Sequence, residues 1–212
     1  YYPRPDTGLE PQFVASQNNL ILKYNAQADI FGFITGSTLR GPLYKGLPTI
    51  ESTRYQHPIQ SAQLLKDNLV EHVMIGDPLI DSHAAQQLIT FLHHRHFNLN
   101  IMLLDDQVSS ILFKPHTVRA DNPAHVIRSQ EARLYCDTEI QPFSTNGRNF
   151  GAITVDNKLN GRYQGELQII KNDLPPHNNI NVVGEVKKTD LPLIQCMRPN
   201  DTFEFTYKNK EL

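Results

Sequence analysis

The stretch EHVMIGD at residues 71–77 decides how the first half of the chain is interpreted. It is short, apolar and β-branched, and Gly76-Asp77 closes it, which predicts a buried strand. Helical spacing of apolar residues predicts a helix on each side, at 58–69 and 81–92, and further strands are predicted at 28–35 and 98–104. Strands separated by helices at a spacing of roughly 30 residues indicate a parallel β/α array.

The pattern changes after Lys114-Pro115. Short strand candidates separated by turn signals predict a small β-barrel or sandwich, at residues 126–135, 152–155, 161–170, 181–186 and 202–207. We therefore predict two domains, residues 1–114 and 115–212.

The composition excludes several classes of protein. The 212 residues carry a net charge of −2 and are 39% hydrophobic, which gives no electrostatic footprint for nucleic acid or an anionic membrane. No apolar run approaches the length of a membrane span. Cys136 and Cys196 lie far apart, which excludes a disulfide scaffold. We predict a cytoplasmic protein whose two cysteines are reduced.

The loop RGPLYKGLPTIE at residues 40–51 carries the most chemical information. It places Arg40, Tyr44 and Glu51 among two glycines and two prolines that stiffen it. A rigid loop holding a guanidinium and a carboxylate suits an anionic ligand beside acid/base chemistry. The alternative is a surface loop with solvated charges.

Other carboxylates follow predicted strands, where active-site groups of β/α arrays lie. Asp77 follows one strand, and Asp105 and Asp106 follow the next. Paired carboxylates are what glycoside hydrolysis requires. Capping of the next helix is the alternative for each of them, and for Asp77 it is the favoured one.

Basic residues cluster beyond residue 115. Arg119, Arg128 and Arg133 could clamp a phosphate or carboxylate, or they could form ion pairs with Asp121 and Glu131. The segments 156–157 and 162–166 are interpreted as a hairpin turn and a polar strand with a solvated face. The histidines at 93, 94 and 96 lie at a helix end and lack a fourth ligand, so no metal site is predicted.

Five segments, matching in order along almost the whole chain, resemble the MupG-type 6-phospho-N-acetylmuramidases: YPRPDTGL at 2–9, the loop at 40–51, IGD at 75–77, the arginine-rich segment 119–133, and ITVDN with GRYQGEL at 153–167. The resemblance implies the C-terminal part of a TIM-like (β/α) barrel, its last three strands, followed by a cyclophilin-like β-barrel domain. It also implies an N-terminal truncation, which leaves the activity of the fragment open.

The activity implied by the resemblance is hydrolysis of a bacterial cell-wall disaccharide that carries 6-phosphorylated N-acetylmuramic acid, during peptidoglycan recycling. We predict Glu51 as acid or nucleophile and Asp77 as its partner, with no cofactor. The sugar has two anions, a phosphate and a lactyl carboxylate, and each favours arginine or backbone donors. The predicted substrate-binding residues are Arg4, Arg40, Arg119, Asp121, Arg128, Arg133, Arg162 and Glu166.

Two alternatives stay open. One is a 6-phosphoglycosidase for a phosphodisaccharide without the lactyl group. The other is a non-catalytic phosphosugar-binding protein that uses the same arginines.

Overall fold

The computed structural model describes residues 4–207. The chain forms two compact units, one up to His93 and one from His94 onward. The helices and strands of the first unit are α1 (Pro11–Tyr24), β1 (Phe31–Ile34), α2 (Pro58–Asp67), β2 (His72–Ile75) and α3 (Ser82–His94). β1, α2, β2 and α3 lie where the apolar spacing predicts them.

Local sequence explains where the helices of this unit begin. Pro58 occupies the first turn of α2, where no N–H is needed, and the ring of His57 accepts the N–H of Ile59. Asp81 accepts the N–H of Ala84 and so caps α3. β1 and β2 pair in parallel, with Phe31 opposite His72.

The second unit contains seven strands and three short helices. They are β3 (His96–Leu103), α4 (Ser109–Leu112), β4 (His116–Thr117), β5 (Val126–Arg128), α5 (Ala132–Tyr135), β6 (Ala152–Asp156), β7 (Leu167–Ile170), β8 (Ile180–Val186), α6 (Leu191–Ile194) and β9 (Thr202–Thr206).

The seven strands form one mixed sheet in the order β4-β9-β3-β8-β6-β7-β5. Within it, β3 and β9 pair in parallel, and the other neighbours are antiparallel. The short helices α4, α5 and α6 lie in the connections.

The sheet curls so that its two edge strands approach each other. Val118 and Ser129 form an isolated antiparallel bridge. The N–H of Arg119 donates to the carbonyl of Arg128 at 3.0 Å, beside this bridge. No ladder joins β4 to β5 within residues 4–207, so the sheet is a curled half-barrel.

The prediction of a partial TIM-like barrel followed by a cyclophilin-like β-barrel is wrong. Within the described residues, the first unit contains only the two-stranded sheet, and the strand predicted at 98–104 belongs to the second unit as β3. In β3, buried Phe97, Leu99 and Ile101 alternate with less buried residues, as in a sheet with one covered face. Its partners, β8 and β9, come late in the chain, which the helix–strand spacing does not indicate.

Three further details differ from the predictions. The strand predicted at 126–135 ends at Arg128, and Ala132–Tyr135 form the short helix α5. The first part of the predicted strand 161–170 is a turn of 3₁₀ helix that ends at Tyr163, and β7 begins only at Leu167. Lys114-Pro115, where the composition changes, lies inside the second unit. Across residues 4–207, no helix has the length and apolar character needed to cross a bilayer.

Candidate functional site

Glu51 lies in a short 3₁₀ turn at the end of the glycine- and proline-rich loop of the first unit. The Nε of Arg54 donates to its Oε1 at 2.7 Å, and Nη2 donates to its Oε2 at 2.5 Å. The N–H of Gly8 also donates to Oε2, at 2.7 Å. The carboxylate of Glu51 is therefore fixed by two different donors, the buried guanidinium of Arg54 and the backbone N–H of Gly8.

These contacts set the charge of Glu51. The hydrogen bond from Arg54 is the largest cause that lowers the pKa of Glu51, to about 2, and it outweighs the opposing effect of burial. The carboxylate is thus ionised throughout the physiological range. An ionised carboxylate suits a nucleophile or an electrostatic stabiliser rather than a proton donor.

The carboxylate of Asp77 fixes the same loop by accepting three of the backbone N–H groups in and before it. Its Oδ1 accepts the N–H of Arg40 at 2.9 Å, and its Oδ2 accepts the N–H groups of Gly36 and Leu47 at 3.0 and 3.2 Å. Asp77 is buried. It does not cap the next helix, because Asp81 has that role.

The remaining predicted residues of the first unit, and two acids of the second, lie at or near the surface. Arg4 and Arg40 are exposed, and the carbonyl of Arg4 accepts from Arg54. Asp105 accepts the N–H of Gln107 in a local turn, and the carbonyl of Asp106 accepts from Ser109. Tyr2 and Pro3 of the segment 2–9 lie outside the described residues.

An arginine-lined cavity of about 700 Å³ lies in the second unit. We call it the arginine pocket. It brings together four of the predicted binding residues, and Tyr163 and Gln164 complete its wall. Its lining comprises Arg119, Arg128, Arg133, Arg162, Tyr163 and Gln164.

Two carboxylates hold three of these arginines in place. Glu166 accepts from the Nε of Arg128 at 2.5 Å and lies 3.6 Å from the Nε of Arg133. Asp121 pairs with Arg128 at 2.8 Å and with Arg119 at 3.2 Å. Hydrogen bonding to Glu166 raises the pKa of Arg128. The predicted ion pair with Asp121 is thus present, and it coexists with a pocket.

Aromatic contact shapes the other wall of the arginine pocket. The guanidinium carbons of Arg162 and Arg133 lie 4.9 and 5.8 Å from the ring centre of Tyr163. The Nη2 of Arg162 also donates to the hydroxyl of Tyr163 at 2.8 Å. Such contacts restrain long arginine side chains and so reduce the entropy lost when a ligand binds.

Sequence reasoning missed Asp156. The interpretation as a hairpin turn on a solvated face is wrong here, because Asp156 is 4% exposed and Asn157 is fully buried. Glu166, expected on a polar strand, is 2% exposed. Burial, the largest cause, and the charge of Glu166 together raise the pKa of Asp156 to about 6. The available signal was the run AITVDN, in which a polar pair continues an apolar strand without a glycine or proline break.

The described residues include one group with metal-ligand types within reach of one another, formed by Asp29, Glu71 and His72 at the surface of the first unit. Its carboxylates are exposed, and exposed acidic groups are common without an ion. The histidines at positions 93, 94 and 96, for which no metal site is predicted, do not belong to this group. His96 instead lies on β3, with its Nδ1 2.9 Å from the hydroxyl of Thr202.

Comparison with known families decides what kind of protein holds these residues. The profile of the 6-phospho-N-acetylmuramidase N-terminal region matches residues 1–90, and that of the C-terminal region matches residues 97–206. The chain belongs to the MupG family of 6-phospho-N-acetylmuramidases. The family is named for a glycosidase, and the arginine pocket lies wholly within the part matched by its C-terminal profile.

Two solved structures resemble this MupG-family chain. One is a conserved Enterococcus faecalis protein of unknown function, with 30% identity, a TM-score of 0.83, and coverage of 99% of this chain and 57% of that one. The other is an uncharacterised B. cereus protein, with 25% identity, a TM-score of 0.76, and coverage of 97% and 61%. The chain thus spans about three fifths of the length of these relatives. No curated protein matches it significantly.

Proposed function

We propose that this MupG-family chain belongs to a glycoside hydrolase that cleaves a disaccharide carrying 6-phosphorylated N-acetylmuramic acid, in cytoplasmic recycling of bacterial peptidoglycan. The observation that carries the proposal is the arginine pocket. It offers guanidinium groups from four segments of one unit, three of them paired with Glu166 or Asp121 and the fourth with Tyr163.

The charge of the pocket favours a ligand with more than one negative charge. Four guanidiniums line the pocket and two carboxylates pair with them, so the guanidinium charges outnumber these two carboxylates by two. A phosphate monoester carries about −1.5 to −2 at neutral pH, and the lactyl group adds a carboxylate. Arginine suits both groups because its planar fork donates two parallel hydrogen bonds.

For the chemistry we propose Glu51 as the ionised carboxylate, acting as nucleophile or stabiliser of the oxocarbenium-like transition state. Its contacts with Arg54 and Gly8 support that role over the role of proton donor. Asp77 stays a prediction as its partner. Its three backbone contacts favour a role in shaping the loop that carries Glu51. Arg4 and Arg40 stay predictions as substrate ligands.

Calorimetry with three sugars tests the binding part of the proposal. We expect N-acetylmuramic acid 6-phosphate to bind most tightly, N-acetylglucosamine 6-phosphate about ten-fold more weakly, and unphosphorylated N-acetylmuramic acid weakest of all. Each lost anionic contact corresponds to about 1.4 kcal/mol or more. Equal affinity for all three would contradict a phosphosugar site. Equal affinity for the two phosphosugars would favour a 6-phosphoglycosidase whose site makes no contact with the lactyl group.

Turnover is tested by the release of phosphorylated muramic acid from the disaccharide. Glu51→Gln should abolish release while the affinity for N-acetylmuramic acid 6-phosphate stays within about two-fold of wild type, since the arginine pocket proposed to bind the phosphate belongs to the second unit. Glu10→Gln, an exposed acid before α1, provides the matched control.

A non-catalytic phosphosugar-binding protein is the second candidate. It is favoured by the internal contacts that occupy both oxygens of Glu51 and both oxygens of Asp77. Saturable binding of the phosphosugar together with no release of product from the disaccharide would support it.

A further inference from the structure

Asp156, the last residue of β6, is buried and lies opposite Glu166, the carboxylate that pairs with Arg128 of the arginine pocket. The N–H of Asp156 donates to the carbonyl of Glu166 at 3.0 Å, and the N–H of Gly165 donates to the carbonyl of Asp156 at 2.9 Å. Just beyond the antiparallel pairing of β6 with β7, Asp156 therefore lies opposite both Gly165 and Glu166, and the positive φ of Gly165 is typical of a β-bulge. Asp156 and Glu166 are both buried, and the charge of Glu166 acts on Asp156, so the two carboxyl groups are neighbours.

The two carboxyl groups have different surroundings. Glu166 is held by Arg128 and faces Arg133. Asp156 has one side-chain donor, Asn160, which bonds to Oδ2. Its Oδ1 is buried and has no hydrogen-bond partner in the described part of the chain. A buried carboxylate oxygen without a donor is costly when charged, and protonation relieves that cost.

The groups that face Asp156 come from four segments. Glu166 raises its pKa, and the hydrogen bond from Asn160 and the charges of Arg128 and Arg148 lower it. Arg148 is nearly buried, and its Nε donates to the carbonyl of Pro175. Arg128 is thus shared: it pairs with Glu166 and Asp121, attracts Asp156, and lines the arginine pocket.

We propose that Asp156 is a positioning residue of the arginine pocket, which acts through Arg128 and Glu166: ionised Asp156 competes with a bound oxyanion for Arg128, and protonated Asp156 leaves Arg128 to the oxyanion. The inference rests on the proposed anion-binding role of the pocket. By linkage, binding of the oxyanion favours uptake of a proton by Asp156. Anion affinity therefore rises as the pH falls through about 6.

Sulfate is the probe, because it remains fully ionised over this range whereas a phosphate monoester changes its charge. Its dissociation constant is measured with the full chain at pH 5 and pH 7.5 and at constant ionic strength. We expect wild type to bind sulfate about three- to ten-fold more tightly at pH 5, corresponding to a coupling of roughly half to one pKa unit. Asp156→Asn has the same shape without the charge, and it should bind equally at both pH values, as tightly as wild type does at pH 5.

Two variants locate the effect. Glu185→Gln removes an exposed carboxylate on β8 of the same unit, and it should keep the wild-type pH dependence. Arg133→Gln should weaken sulfate binding at both pH values. If wild type binds sulfate with no pH dependence, or Asp156→Asn keeps the dependence, the role of Asp156 is refuted and the pocket stands. If wild type does not bind sulfate at either pH, the anion-binding role of the pocket and the inference resting on it both fail.

Discussion

The guanidinium of Arg54 binds both carboxylate oxygens of Glu51, three residues away, at 2.7 and 2.5 Å. Arg54 is 3% exposed and donates in addition to the carbonyls of Lys45, Gly46 and Arg4. One side chain thereby joins the proposed catalytic carboxylate to the loop before it and to the segment containing Arg4. The local stability of the first unit and the charge of Glu51 should depend on this pair.

The first prediction concerns how the stability of the protein changes at acidic pH. The folded-state pKa of Glu51, about 2, lies below its ordinary value of 4.5. A lowered pKa stabilises the folded state above the ordinary value, and that contribution is lost as the pH falls from about 4.5 towards 2. We therefore expect wild type to be more stable than Glu51→Gln at pH 6, with a difference that shrinks by pH 2.5. Urea unfolding at several pH values measures it, and a difference that stays constant would contradict the pair.

The second prediction concerns Arg54 itself. Arg54→Lys keeps the charge but cannot reach both oxygens and three carbonyls. We expect the free energy of unfolding to fall by about 3 kcal/mol, the scale for disrupting a buried, hydrogen-bonded ion pair. Lys23→Ala, an exposed change in α1, should stay within about 0.5 kcal/mol of wild type. A small loss for Arg54→Lys would mean that the loop is held by other contacts.

The third prediction separates the two acids Asp77 and Asp81. Asp77→Ala leaves three N–H groups without their acceptor, so we expect a loss of about 3 kcal/mol and faster protease cleavage within residues 36–49. Asp81→Ala removes only the cap of α3 and its contact with Ser37, for about 1 kcal/mol. Equal cleavage of this loop in the two variants would show that Asp77 does not organise it.

The fourth prediction concerns two arginines of the pocket. Arg133 is partly exposed, so Arg133→Gln should weaken N-acetylmuramic acid 6-phosphate binding about ten-fold and change stability by less than about 0.5 kcal/mol. Arg128→Gln should weaken binding and also destabilise the fold by about 3 kcal/mol, because it leaves buried Glu166 without its shortest ion pair. Calorimetry and thermal unfolding of both variants check this. Unchanged binding in Arg133→Gln would exclude this side chain as a ligand.

The fifth prediction concerns the turn between the 3₁₀ helix and β7. Gly165 has φ +81°, and a Cβ there would lie 2.5 Å from the Cβ of Cys136. Gly165→Ala therefore combines backbone strain with a clash, and we expect a lower thermal midpoint and weaker anion binding, since Gln164 beside it lines the arginine pocket. Gly161→Ala also has positive φ but open space around it, so it serves as a variant that introduces backbone strain without a clash and should leave the packing against Cys136 intact.

Local chemistry determined much of this protein. Pro58 and Asp81 mark helix starts, and the apolar spacing after each locates α2 and α3. The ordered segments along the chain carried the family resemblance, which the family profiles confirm. The cluster of arginines between residues 119 and 133 indicated an anion site, because guanidinium groups close in sequence on short strands and turns remain close in space.

Only the tertiary structure decided how the strands combine and which charges are buried. β3 follows a helix as a strand of a β/α array does, yet it pairs with β8 and β9, since the partner of a strand is set by packing over long separations in sequence. In the sequence, Asp156 and Glu166 are acidic residues next to turn-forming residues, which predicts exposure. The pairing of β6 with β7 instead buries both of them near Arg128. Sequence supplies the charges, but their burial and pKa values depend on neighbours that the fold brings together.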